Sequence, residues 1–102
     1  MRLMVFFDLP VKTKAERKAY TRFHRFLVKD GYDMLQFSVY ARVCNGLDAV
    51  NKHVARLKAN RPQQGSVRYM QVTEKQFIDI QVLVGEKIRV EKPEAAFQLA
   101  FF

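Results

Sequence analysis

The sequence predicts an α+β sandwich, one sheet covered on one face by two helices, and three observations lead there. Segments with strand character, apolar on both faces or alternating, are separated by two segments whose apolar residues recur at helical spacing. At 102 residues and 49% hydrophobic content the chain holds enough apolar matter for one compact core and not for two. Turn signals (Pro10, Gly31, Asn45-Gly46 and Pro62) fall between these segments and not inside them.

The first element is the run from Leu3 to Phe7, apolar on both faces and stopped by Asp8-Leu9-Pro10, which reads as a central strand with Asp8 at its end. Thr13 and Glu16 have the spacing of a capping box, so a helix should begin near Lys14. On that helix Ala19, Tyr20, Phe23, Phe26 and Leu27 form the core face, and Asp30-Gly31 supplies its stop. From Met34 to Cys44 the pattern alternates, with Leu35, Phe37, Val39, Ala41 and Val43 on one face and Gln36, Ser38, Tyr40 and Arg42 on the other. Leu47, Val50, Val54 and Leu57 then mark a second helix, with Lys52, His53 and Arg56 off the stripe, ended by Asn60-Arg61-Pro62. Further strands are expected from about Ser66 to Thr73 and from Phe77 to Val84. The economical arrangement is a ferredoxin-like βαββαβ sandwich with an additional C-terminal strand. It requires a hairpin inside the run from Met34 to Cys44, and the bend is expected near Gln36-Phe37-Ser38. The uncovered sheet face needs a partner, and a homodimer is a sensible supplement for so small a core.

Eighteen Lys and Arg against ten Asp and Glu leave a formal charge of +8, which favours a polyanion, most commonly nucleic acid. No apolar run approaches the roughly 18 residues of a membrane span, and Asp8 interrupts the apolar start before a signal segment forms. A cytoplasmic protein with no membrane partner is expected. Cys44 is the sole cysteine, a small buried hydrophobe in expectation.

Among the polar residues, Asp8 is the candidate for phosphodiester chemistry. Hydrolysis needs a cation to neutralise the phosphate and acidify water, and Mg2+ prefers carboxylate oxygens. Two such aspartates across a twofold axis make a better site than one; the competing role for Asp8 is to cap the turn that follows. Asp33 and Asp79 join such a site only if the fold brings them near. His24 and His53 have no partner at ligand spacing. Lys14, Lys18, Arg22, Arg25 and Lys29 fall within an arc of roughly 80° on the first helix, with Arg17 at the border, a single-sign stripe suited to tracking phosphates. Phe37 and Tyr40 are weighed as stacking platforms for single-stranded RNA, with the core the stronger reading for Phe37.

The order Leu3-Met4-Val5-Phe6-Phe7-Asp8-Leu9-Pro10, a basic helix, Gly31-Tyr32 and Gln36-Phe37-Ser38-Val39-Tyr40 resembles the family of small CRISPR-associated endoribonuclease-like adaptation proteins. Thr73-Glu74-Lys75-Gln76-Phe77, Gly85-Glu86 and the terminal Gln98-Leu99 with Phe102 are similar to the members found in type II systems. The resemblance implies a ferredoxin-like homodimer in which the two Asp8 carboxylates, catalytic and metal-binding, face each other and share a magnesium ion. It also implies a CRISPR integrase partner, with the dimer bridging two integrase dimers and helping to hold a double-stranded DNA prespacer, or RNA. Many members carry Tyr before the aspartate, where this chain has Phe7.

Residues 1–90 are expected to form the ferredoxin-like domain and 91–102 a docking tail, because Phe97, Leu99, Phe101 and Phe102 are too apolar to be left in water. The functional expectation is thus a nucleic-acid-binding scaffold of spacer acquisition, with Mg2+-dependent endonuclease potential through paired Asp8. The alternative is a metal-dependent endoribonuclease of toxin-like type that acts without the integrase.

Overall fold

The computed structural model describes residues 1–86. The chain divides into two compact units, Met1–Val72 and Thr73–Phe102. The first contains β1 (Arg2–Asp8), α1 (Lys14–Lys29), β2 (Asp33–Gln36), β3 (Val39–Val43), α2 (Leu47–Ala59) and β4 (Ser66–Val72). The four strands form one antiparallel sheet in the order β2-β3-β1-β4. This is the ferredoxin-like arrangement: each βαβ unit skips one strand, and the doubly apolar β1 lies in the middle.

Local chemistry accounts for the boundaries. Thr13 Oγ1 accepts from the Glu16 N–H (3.1 Å) while the Glu16 carboxylate accepts from the Thr13 N–H (2.8 Å), so α1 begins with the expected capping box. The helix ends at Asp30, where Gly31 adopts φ +91° and the Tyr32 N–H returns to the Leu27 carbonyl (2.9 Å). The hairpin falls at Phe37-Ser38. Ser38 takes a positive φ of 68°, and its carbonyl accepts the Phe7 N–H (3.0 Å), which stitches the turn to β1.

The core lies between the sheet and both helices. Leu3, Val5 and Phe7 from β1 meet Phe23 and Leu27 from α1, Val50 and Leu57 from α2, and Tyr40 from β3; Cys44 is buried among them. Phe7 is the hub of an aromatic group, edge-on to Phe23 (centroids 5.2 Å apart) and stacked on Tyr40 (5.5 Å). On the opposite sheet face Met4 and Ala41 are buried, Phe6 is half-buried, and Asp8, Val43, Arg68 and Met70 are exposed.

Four expectations are corrected. Phe37 is 82% exposed and not in the core, because the bend at positions 37 and 38 resets the alternation and places Tyr40, 1% exposed, on the core face instead. Leu47 is exposed because it opens α2 before the helix reaches the sheet. His53, set off the stripe by sequence, is buried at the 3/4 spacing that links Val50 to Leu57. Finally, no strand runs over residues 77–84. The second unit opens with α3 (Glu74–Ile78), because Thr73 and Gln76 form a second capping box: Thr73 Oγ1 accepts from the Gln76 N–H, and Gln76 Oε1 accepts from the Thr73 N–H. No strand follows β4 among the described residues. The expected tail, with Phe97, Leu99, Phe101 and Phe102, and the division after residue 90 lie outside the described residues.

His53 is tolerated in the interior because Asp30 pairs with it. A carboxylate only accepts, so His53 Nδ1 carries the proton and donates to Asp30 Oδ2 (2.8 Å), while Arg56 donates to Oδ1 (2.7 Å). Arg42 donates to the Asp30 carbonyl and, through Nε, to the Val43 carbonyl (3.1 Å). Burial raises the Asp30 carboxyl, but the hydrogen bonds and charges of His53 and Arg56 outweigh it and leave it below its ordinary 3.8.

Candidate nucleic-acid interface and carboxylate site

Asp8 ends β1 on the face turned away from the helices, paired in register with Ser66, and is exposed. Among the described residues nothing donates a hydrogen bond to its carboxylate, so it does not cap the following turn. Its backbone is held differently. Gly65, at φ +90°, packs so closely that a Cβ there would stand 2.6 Å from the Asp8 carbonyl oxygen and 2.7 Å from Leu9 Cδ2. The carboxylate therefore projects from a clamped strand end with its oxygens available.

One chain does not complete a metal site: among the described residues no group of three His, Cys, Asp or Glu side chains is placed to hold an ion. Asp33 pairs with Ala41, which pairs with Met4, so it sits four residues from Asp8 along the strands and two strands across. At about 3.3 Å per residue and 4.8 Å per strand this is well over 10 Å. Asp79 belongs to the second unit. An exposed carboxylate without partners does fit a hard cation as half of a two-carboxylate site. Position 7 carries no hydroxyl toward it, since Phe7 points to the other face, into the core.

The cations of α1 separate into groups. Lys14, Arg17, Lys18, Arg22 and Arg25, with Thr21, line one shallow surface groove; Lys29 stands beyond it in the last turn, where it favours the helix C-terminus. Arg17 is partly committed, donating to the carbonyls of Val11 (3.3 Å) and Lys12 (2.8 Å). All six are exposed. A second groove, between the first half of α1 and residues 60–64, is lined by Lys18 and Arg22 on one side and by Arg61, Gln63 and Gln64 on the other. Sequence reasoning passed over this opposite wall, having read Asn60-Arg61-Pro62 only as a helix stop. Asp8 lines neither groove, though Leu9 and Pro10 beside it line the second.

The aromatic residues weighed for stacking are split by the fold. Phe37 is exposed on the hairpin tip, while Tyr40 is buried and bonded through its hydroxyl to His24 Nδ1 (2.5 Å). Burial, then the neighbouring Tyr20, raises the Tyr40 phenol above its ordinary value.

No helix of the described residues is long and apolar enough to cross a membrane. The family model described as CRISPR associated protein Cas2 matches residues 1–80. Two relatives named CRISPR-associated endoribonuclease Cas2 match over all 102 residues and over their own full lengths. One, from Acidovorax ebreus (strain TPSY), is 59% identical, and the other, from Parvibaculum lavamentivorans, is 42% identical. The crystal structure of Streptococcus pyogenes Cas2 at pH 6.5 superposes with a TM-score of 0.61 and 23% identity, covering 82% of this chain and all of that one, which supports the same fold. By the family match and the full-length relatives, this chain belongs to the CRISPR-associated Cas2 family.

Proposed function

We propose that this Cas2-family chain acts in spacer acquisition as a homodimeric, nucleic-acid-binding scaffold between integrase dimers, with phosphodiester hydrolysis through paired Asp8 residues as its chemical capacity. The observation that carries the binding half is the exposed, single-sign groove of Lys14, Lys18, Arg22 and Arg25 on α1. Neutralising successive phosphates there releases counterions, so binding is weakly sequence-dependent and falls steeply with salt. The partly exposed sheet face and the edge strand β4, with Tyr69 and Met70 about half exposed, support a second copy as the missing cover.

The chemical half rests on Asp8. Two copies would bring two unbonded carboxylates toward one Mg2+, which when bound supplies charge neutralisation at the phosphate and a more acidic water. Within each chain, Gly65 holds the strand end that presents the carboxylate, and the α1 cations orient the strand by its phosphates. The name endoribonuclease carried by the relatives favours the second reading, metal-dependent RNA cleavage without the integrase. In either reading the tail with Phe97, Leu99, Phe101 and Phe102 is the docking peptide, and its removal after Pro93 weakens assembly.

The test is spacer acquisition in cells that carry the cognate integrase and wild-type protein, Asp8→Asn, or no copy. The Asp8 carboxylate accepts no hydrogen bond among the described residues, so Asp8→Asn is expected to leave folding and dimer mass unchanged. Acquisition by Asp8→Asn at wild-type level, with none in the deletion, supports the scaffold. Failure of the mutant despite an intact dimer makes the carboxylate chemistry central, and acquisition without any copy overturns the scaffold and leaves the second reading.

A further inference from the structure

The second groove differs in kind from the cationic face beside it. Lys18 and Arg22 line both, so the positive stripe of α1 turns without a break into the space between α1 and the segment after α2. Across that space stands Arg61, whose guanidinium is steadied by donation to the Lys58 carbonyl (2.8 Å) in the last turn of α2, with donors to spare. Next to it Gln63 and Gln64 are exposed, and among the described residues their amides make no hydrogen bond. The apolar part of the lining comes from Leu9 and Phe23, both largely buried, and the half-buried Pro10. Glu16, the carboxylate on the wall, is already engaged by the N–H groups of Lys12 and Thr13.

A duplex meets a protein mainly through its phosphates, which amides also contact, but it keeps its base faces stacked inside and so offers nothing to an apolar surface. An unpaired nucleotide exposes a face, a hydrogen-bonding edge and a phosphate at once. We infer that the groove between α1 and residues 60–64 is a binding site for an unpaired nucleotide of a single-stranded polynucleotide, with its phosphate between Arg61 and the Lys18–Arg22 pair and its base over the apolar part of the lining, edge-on to Gln63 and Gln64. The inference rests on the nucleic-acid reading of α1 and adds to it residues and a strand state that the reading lacks.

The experiment is fluorescence anisotropy with the full chain, using a labelled single-stranded oligodeoxynucleotide, the same sequence in RNA, and a blunt duplex of equal length, each titrated over a range of salt. Arg61→Ala weakens single-strand binding about tenfold, the scale of a lost charged hydrogen bond, and lowers the single-strand salt slope by about 0.7. The same substitution leaves duplex binding unchanged. Gln63→Ala with Gln64→Ala weakens the single strand without altering its salt slope, since no charge is removed. A single-strand affinity indifferent to all three substitutions overturns the inference, as does an equal loss for the duplex, which would make Arg61 one more phosphate contact. Wild-type binding to duplex but not to single strands overturns it while sparing the parent reading, and binding to neither probe overturns both. The DNA and RNA arms show which sugar the groove accepts.

Discussion

Substituting Gly65 by Ala tests the clamp on the candidate catalytic strand end, because two separable strains meet there. The first is conformational: φ is +90°, and forcing an L-residue into left-handed backbone costs about 1–2 kcal/mol. The second is steric. The new Cβ would stand 2.6 Å from the Asp8 carbonyl oxygen and 3.1 Å from Leu9 Cα, backbone atoms that cannot rotate aside, and forced overpacking costs about 1–3 kcal/mol more. The sum is about 2–5 kcal/mol, and at roughly 4–8 °C per kcal/mol for a domain of this size the melting temperature falls by at least about 8 °C. Gly46→Ala is the control. Gly46 has almost the same φ, +91°, but nothing lies within 4 Å of the added Cβ, so the steric strain is absent there. Gly46 is also the N-cap of α2, where Ala is a poor substitute, and this makes the comparison stricter. Urea unfolding followed by circular dichroism at one fixed protomer concentration compares the two. Gly65→Ala is expected to be the less stable of the two, and a loss smaller than that of Gly46→Ala would refute the steric argument and with it the clamp on Asp8.

Asp30→Ala, which strands a buried His53, destabilises by about 3 kcal/mol, whereas Arg56→Ala, at a half-exposed partner, costs under about 1 kcal/mol; urea midpoints of the two variants decide it. The Asp30 carboxyl is held below 3.8 in the folded chain, so its contribution is present above that pH and is lost as pH falls through the lowered folded value. A urea-midpoint series from pH 5 to pH 2 should therefore fall more steeply for wild type than for Asp30→Asn. Phe37→Ala changes stability by no more than about 0.5 kcal/mol, as expected of a side chain 82% exposed, while Phe23→Ala, 2% exposed, costs about 3–5 kcal/mol.

Periodicity and capping chemistry are local, and what depends on them could be read along the chain. Both faces of β1, the capping box at Thr13 and Glu16, the stop at Asp30-Gly31 and the core stripe of α1 follow from neighbours within a few residues. So does the single-sign face of α1, because residues at helical spacing share a side whatever the helix packs against. The second capping box, at Thr73 and Gln76, is equally local and legible by the same rule, but the strand expected from Phe77 to Val84 rested on the apolar residues alone and left it unread.

Tertiary structure decided the rest, because it joins residues far apart in sequence. Phe37 and Tyr40 exchanged places because the hairpin bend, fixed partly by a bond between Ser38 and Phe7 thirty-one residues earlier, resets which face each side chain takes. His53 became a core residue only because Asp30, twenty-three residues away, satisfies its ring proton. The second groove exists only where α1 comes to face residues 60–64, so Arg61 looked like punctuation in the sequence and became a wall in the fold. Asp8 shows both: its position at the end of a central strand was written in Leu3 to Pro10, but its freedom from the turn and the hold of Gly65 on its backbone arise from strand pairing that no local pattern encodes.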